Sequence, residues 1–212
     1  MTTATVITIA QQKGGAGKTT VAAQLATGFA ERGRNVALVD IDPQGSLTEW
    51  MKVREHQARD AREIRFSMVG GWRLDAELDR MRRDHEFIIV DSPPHAESDA
   101  KNAIKAARLV IIPVQPSPLD IWASKVTVET AVREGIRPAL LMNRVPPRGR
   151  SLDQALATIE RDGYPALTTR FGNRQAFVTS LAKGLGVVES DPKSPATDEC
   201  RALVAETLAL IN

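Results

Sequence analysis

The run Gln11-Gln12-Lys13-Gly14-Gly15-Ala16-Gly17-Lys18-Thr19-Thr20 has the residue types needed to hold phosphate. Small residues let successive backbone N–H groups turn inward onto phosphate oxygens, and a helix opening near Lys18 adds its positive end. At this spacing Lys18 reaches the β- and γ-phosphates of a nucleotide, and the Thr19 hydroxyl ligates magnesium. A phosphate loop ordinarily carries glycine five places before its Gly-Lys-Thr. Here Gln12 stands in that place, and an additional lysine, Lys13, follows it. Carboxylates recur at the ends of apolar runs: Asp40 and Asp42 in Asp40-Ile41-Asp42-Pro43-Gln44-Gly45, and Asp91 after Phe87-Ile88-Ile89-Val90. A carboxylate at such a strand end holds magnesium or its waters, or orients an attacking water.

These residues need a scaffold that brings strand ends to one edge. Short β-branched runs at 6–10, 36–40, 87–91, 109–114 and 139–143 read as strands, with weaker ones at 166–169 and 64–69. Their near-continuous apolar character fits strands covered on both faces. Helical patterns lie between them. Val21, Leu25 and Phe29 share one face of a helix predicted over 19–32 that stops at Gly33. A second is predicted over 74–84, and a third over 197–211 with Cys200, Leu203, Val204, Leu208 and Ile211 on one stripe. Alternating strand and helix predicts an α/β fold, a mostly parallel twisted sheet flanked by helices, as a single domain over 1–212. In a parallel sheet, strand C-terminal ends share one edge, where ligands bind.

Composition narrows the classes. The 212 residues carry 28 Lys+Arg against 26 Asp+Glu and are 42% hydrophobic, near globular averages, which excludes extended disorder. The single cysteine, Cys200, excludes a disulfide framework, a multi-cysteine zinc site and a cluster site within one chain. No apolar run approaches the roughly 20 residues of a membrane-spanning helix. The opening Met1-Thr2-Thr3-Ala4-Thr5 has no positively charged region, so a soluble cytoplasmic protein is expected. His56, His85 and His95 are not at metal-ligand spacing, and Ser92 and His95 lack a nucleophile-elbow pattern. Trp50, in the helix-like stretch 47–51, is expected to pack rather than to recognise a ligand.

Lys13-Gly14-Gly15-Ala16-Gly17-Lys18-Thr19, together with Asp40-Ile41-Asp42-Pro43-Gln44 and Ile88-Ile89-Val90-Asp91, resembles the deviant Walker A (SIMIBI-type) phosphate-loop NTPases of the MinD/ParA superfamily. The ParA partition ATPases are the most similar branch, through Pro113-Val114-Gln115-Pro116-Ser117-Pro118-Leu119-Asp120 and Asn173-Arg174-Gln175. The likeness is greatest to the short, ParF-like forms without an amino-terminal helix-turn-helix domain. The resemblance implies an ATPase using ATP and Mg2+. Lys13 would be the signature lysine, acting on a partner's phosphates across a nucleotide-sandwich homodimer. Gly14, Gly15, Ala16, Gly17, Lys18, Thr19 and Thr20 would hold ATP. Asp42 would position the hydrolytic water, and Thr19, Asp40, Asp42 and Asp91 would form the magnesium shell. Asn143 would read the adenine edge, and the proline loop after Val114 would line the base.

The resemblance also implies nonspecific DNA binding, a nucleoid-associated cytoplasmic location, and a small ParB/ParG-type partner or cargo adaptor that stimulates hydrolysis. Residues 137–174 hold seven arginines against three carboxylates, a patch able to contact DNA phosphates without reading bases. Arg170 and Arg174 are the leading DNA contacts. A MinD-like membrane-surface ATPase needs a basic amphipathic carboxy-terminal helix, and residues 200–212 hold one arginine and no aromatic residue, so no membrane contact is expected. An ATP-dependent biosynthetic enzyme on the same scaffold is the other alternative.

Overall fold

A computed structural model of the chain describes residues 4–58, 60–94 and 97–211; His95 lies outside them. Strand β1 (Thr5–Ile9) leads through the phosphate loop into α1 (Lys18–Glu31), followed by β2 (Val36–Asp40), α2 (Ser46–Gln57) and β3 (Arg65–Met68). A short 3-10 turn precedes α3 (Leu74–Met81), then come β4 (Phe87–Asp91), α4 (Glu97–Lys105), β5 (Leu109–Val114) and α5 (Pro118–Arg133). The carboxy-terminal part comprises β6 (Arg137–Val145), α6 (Ser151–Arg161), β7 (Ala166–Gly172), α7 (Gln175–Leu181), α8 (Val187–Ser190) and α9 (Pro195–Ile211).

The strands form one seven-stranded sheet in the order β3-β2-β4-β1-β5-β6-β7, and every pairing is parallel. Side chains alternate across it with period two. Ile7, Ile9, Leu38, Ile89, Ile111 and Leu141 pack toward α1 and α9, whereas Val6, Val39, Ile88 and Val90 pack toward α3 and α4, and Val110, Ile112 and Leu140 toward α5 and α6. Both faces are covered, which is why these strands read as unbroken apolar runs.

The chain visits the β2–β3 side of β1 first, returns through β4, and only then crosses to β5, β6 and β7. The central strand ends level with its neighbours: Ile9 lies opposite Asp91, and Asp91 opposite Asp40. Adjacent strands run about 5 Å apart, so this register sets the loop leaving β1 beside two carboxylates.

Helix α1 is buried on nearly all sides, with Val21, Leu25 and Phe29 fully enclosed and the Phe29 ring stacked on Phe87 at 4.2 Å between centroids. Helix α9 covers it on the outside. Cys200, Leu203 and Val204 are buried there, and Cys200 Sγ donates to Gln24 O at 3.1 Å. Burial pushes the thiol pKa up to about 12, so Cys200 is a protonated packing residue. Several boundaries differ from the sequence reading, β7 running on to Gly172 and α9 starting at Pro195 among them. The helix predicted to reach residue 84 ends at Met81, whose carbonyl accepts from the backbone N–H groups of both Asp84 and His85 in a closing turn. Strand β6 extends beyond 139–143 at both ends because β5 and β7 pair along it.

Candidate functional site

Two glycines shape the phosphate loop. Gly15 (φ 76°) and Gly17 (φ 93°) adopt the left-handed conformation, and a Cβ on Gly17 would collide with Asn143 Nδ2. No larger residue fits where α1 begins. Gly14 and Gly15 are exposed on a cleft of about 540 Å3, into which Lys18, Thr19, Thr20 and Asp42 also face. Lys18 is only 7% exposed; burial lowers its pKa, opposed by the nearby Asp91 and Asp42 charges. Its ammonium is therefore under-compensated, a state that an entering triphosphate corrects.

The three aspartates divide the work. Asp91 is buried, accepts from Thr19 Oγ1 at 2.7 Å, and leaves Oδ1 without a partner among the described residues. Burial raises its pKa to about 7. An orphaned buried carboxylate oxygen costs about 1–3 kcal/mol, and beside a threonine hydroxyl it fits the water shell of a hard divalent ion. Among the described residues no three acidic, histidine or cysteine side chains converge on a metal. Magnesium is held by one or two protein groups, waters and substrate phosphates. Thr19 and Asp91 are the residues that would hold it; once bound, it neutralises phosphate charge and polarises the γ-phosphoryl group.

Asp42 accepts from the Gln44 N–H at 2.9 Å through Oδ1, and its second oxygen has no hydrogen bond within the described chain. Asp40, expected in the same shell, sits differently. Its Oδ1 accepts from the Asp42 N–H (3.0 Å), and its Oδ2 accepts from Thr48 N (3.0 Å) and Thr48 Oγ1 (2.8 Å). Both oxygens tie down the Asp42 loop and the first turn of α2, so Asp40 shapes the loop and Asp42 faces the cleft. Sequence spacing offered no way to tell the two apart.

Lys13 extends along the loop's other flank, where its Nζ donates to Asp120 Oδ2 at 2.6 Å. Asp120 lies in the first turn of α5 behind the Ser117 N-cap, and Gln115 Nε2 donates to Gly15 O at 3.2 Å. The proline loop thus braces the phosphate loop and Lys13. A small cavity of about 60 Å3 lies elsewhere, bordered by Thr20, Asn143, Gly172, Asn173 and Phe177. Asn143 stands between this cavity and the phosphate loop, with Nδ2 donating to Ala16 O (2.8 Å) and Oδ1 accepting from Arg144 N (2.9 Å). Asp120 was missed as Lys13's partner because they are 107 positions apart in sequence; the Ser117-Pro118-Leu119-Asp120 helix-start pattern gave its place but not its contact.

Of the other residues singled out in the sequence, Arg170, Arg174 and Ser92 lie outside the cleft. Trp50 is buried, as packing requires, although its ring also borders the cleft and its Nε1 has no partner among the described residues. Arg170 is exposed on the edge strand β7. Arg174 donates to Glu199 Oε1 from Nε (2.9 Å) and Nη2 (2.6 Å), an ion pair that raises its pKa and compensates its charge. Ser92 Oγ donates to Ile9 O in the buried sheet edge and has no histidine partner among the described residues.

What this cleft accommodates is a chain of phosphates with a cation, on a parallel sheet that opens beside its central strand. That defines a phosphate-loop nucleoside triphosphatase. A model of the CobQ/CobB/MinD/ParA nucleotide binding domain matches residues 7–187, and the chain belongs to that family. It is an ATPase, with ATP and Mg2+ as nucleotide and ion. The chain is 31% identical over 209 residues to the maintenance of carboxysome distribution protein A of Halothiobacillus neapolitanus, covering 95% of each. It is 27% identical over 238 residues to the chromosome-partitioning ATPase Soj of Thermus thermophilus, covering 97% of this chain and 96% of that one. The fold superimposes on the Pyrococcus furiosus cell division ATPase MinD with a TM-score of 0.81 at 20% identity, over 97% of this chain and 99% of that one.

Proposed function

We propose that the protein is a ParA-type positioning ATPase: it binds Mg-ATP, pairs with a second copy across the nucleotides, holds nonspecific DNA, and is released when a partner triggers hydrolysis. Its cargo is plasmid or chromosomal DNA or another intracellular body, and it acts in the cytoplasm on the nucleoid. The observation that carries this reading is Lys13. A second lysine beside the glycines has no call on a cleft already served by Lys18, yet it sits on the loop with its side chain 39% exposed and a single ion-pair partner. A lysine so placed can leave Asp120 and stabilise charge on a neighbouring copy's phosphates.

Support for the other parts is electrostatic and geometric. Arg148, Arg150 and Arg170 are exposed and make no ion pair among the described residues, so they offer phosphate contacts whose strength falls as salt rises. Arg174 contributes less, because Glu199 already offsets its charge. The apolar face of α9 packs on α1 and β7 instead of standing free, and among the described residues no helix is long and apolar enough to cross a membrane. The packing of that face favours DNA over a lipid surface.

The test uses Asp42→Ala, which is expected to bind ATP without hydrolysing it. With Mg-ATP this variant should run as a dimer by light scattering, co-sediment with unrelated duplex DNA at low salt, and retain a partner in pull-downs. Adding Lys13→Ala should return it to monomer. An Asp42→Ala protein that stays monomeric with ATP, or a hydrolysis rate unchanged by Lys18→Ala, would overturn the reading.

A further inference from the structure

Among the described residues Arg144 is the only non-glycine with a positive φ, at 52°. Left-handed backbone is unfavourable for a side chain of this size and persists only where its surroundings impose it. Here Asn143 imposes it, with its amide joined to the Arg144 N–H on one side and to Ala16 of the phosphate loop on the other. The β6–β7 pairing also slips between Met142 and Val145, an irregularity of the kind that re-aims a side chain.

The place it is aimed at is specific. Arg144 borders both the large phosphate cleft and the small side cavity, at the passage it shares with Thr20 and Leu181. Its guanidinium has no hydrogen bond or ion pair among the described residues. The other arginine on the side cavity, Arg174, is held by Glu199. Of the arginines between 137 and 174, Arg144 alone is both unpaired and on a cavity wall.

We propose that Arg144 is a nucleotide clamp, its planar guanidinium stacking on the purine where the nucleoside passes from the phosphate cleft into the side cavity. The inference rests on the ATP-binding reading and removes Arg144 from the DNA-contacting patch. Asn143 and Asn173 offer amides at the cavity and Phe177 and Leu181 offer apolar surface, a lining suited to a base. A flat, weakly hydrated cation on the rim completes it, with a planar face for stacking that a lysine ammonium lacks.

Calorimetric titration of the wild type, Arg144→Ala, Arg144→Lys and Arg144→Gly with Mg-ATP and with Mg-tripolyphosphate tests this. Arg144→Ala and Arg144→Gly should bind ATP about 2- to 5-fold more weakly, the loss of one cation–π contact at an exposed side chain, with tripolyphosphate affinity unchanged. Arg144→Lys should lose less, because it keeps the charge but not the planar stack. Arg144→Gly should also raise Tm by roughly 2–4 °C by relieving the backbone, so binding falls as stability rises. Unchanged ATP affinity in Arg144→Ala overturns the proposal, as does an equal loss for tripolyphosphate, which would make Arg144 a phosphate contact. A wild type that binds tripolyphosphate but not ATP also overturns it, and one that binds neither defeats the ATP-binding reading itself.

Discussion

The phosphate loop is flanked by two strand-end turns built on opposite plans. After β2, Asp40 accepts three hydrogen bonds from the turn that follows, Gly45 takes the left-handed position at φ 65°, and α2 starts without strain. After β6 the same backbone conformation falls on Arg144, held by the Asn143 amide, with the charged end unpartnered. The first turn is finished without a ligand and presents one free carboxylate oxygen, on Asp42. The second is incomplete until something meets the guanidinium. On the roles proposed above, the difference separates chemistry from recognition: a water-positioning group must be rigid, whereas a base clamp has to admit and release its ligand.

The sharpest way to break that contrast is Asp42→Ala. If the β2 turn performs chemistry, ATP turnover should fall by about 100-fold or more while Mg-ATP affinity changes little, measured as steady-state phosphate release alongside calorimetry. A large loss of affinity with turnover preserved would reverse the assignment.

Next in size is Asp40→Ala. It strips the acceptor from Asp42 N, Thr48 N and Thr48 Oγ1 together, in a site where Asp40 is fully buried. At about 1 kcal/mol per hydrogen bond, unfolding in urea should show a loss of about 2–4 kcal/mol, and turnover should fall because the Asp42 loop is no longer fixed. Asp42→Ala removes a single acceptor, from Gln44 N, and should cost about 1 kcal/mol or less. Equal destabilisation by the two changes would mean that Asp40 is not the loop's anchor.

That distinction also marks how far the sequence could be read. The phosphate loop, Asp91 and the five apolar strands are contiguous signals, so residue type and spacing were enough to place them. Strand β3 was only faintly visible because it is a short edge strand whose Arg65 and Met68 are exposed, which leaves little apolar pattern. Asp40 and Asp42 are two residues apart and chemically identical, and only the position of Thr48 tells which is anchored. Arg144 gave no signal, since its distinctive property is a backbone angle forced by an asparagine that contacts a loop more than a hundred positions earlier.

Asn143→Ala sharpens the comparison from the other side. It frees the Arg144 N–H and the Ala16 carbonyl and opens space beside Gly17, so we expect a loss of about 1–2 kcal/mol. Arg144 should relax, and ATP affinity should drop by about as much as in Arg144→Ala. If the asparagine acts through Arg144, Asn143→Ala with Arg144→Ala should lose little more ATP affinity than either alone. Additive losses in the double-mutant cycle would instead give Asn143 an independent contact with the base.

The smallest expected effect concerns the proline loop, which belongs to neither turn. In the proposed dimer Lys13 cannot pair with Asp120 and with a neighbouring copy's phosphate at once, so their ion pair would oppose dimerisation by whatever it contributes in the monomer. The Lys13 side chain is 39% exposed and that of Asp120 only 4%; water still reaches the ammonium, so the pair is worth on the order of 1 kcal/mol. Asp120→Asn keeps the side-chain shape and the Ser117 contact while removing the charge that holds Lys13. In sedimentation velocity with Mg-ATP it should favour the dimer by about 2- to 5-fold, the equilibrium equivalent of that energy. The comparison should be made in the Asp42→Ala background to prevent turnover. A dimer weakened by Asp120→Asn would show that Asp120 orients Lys13 for its partner, placing it with the rigid β2 turn as pre-built machinery rather than as a restraint that ATP must release.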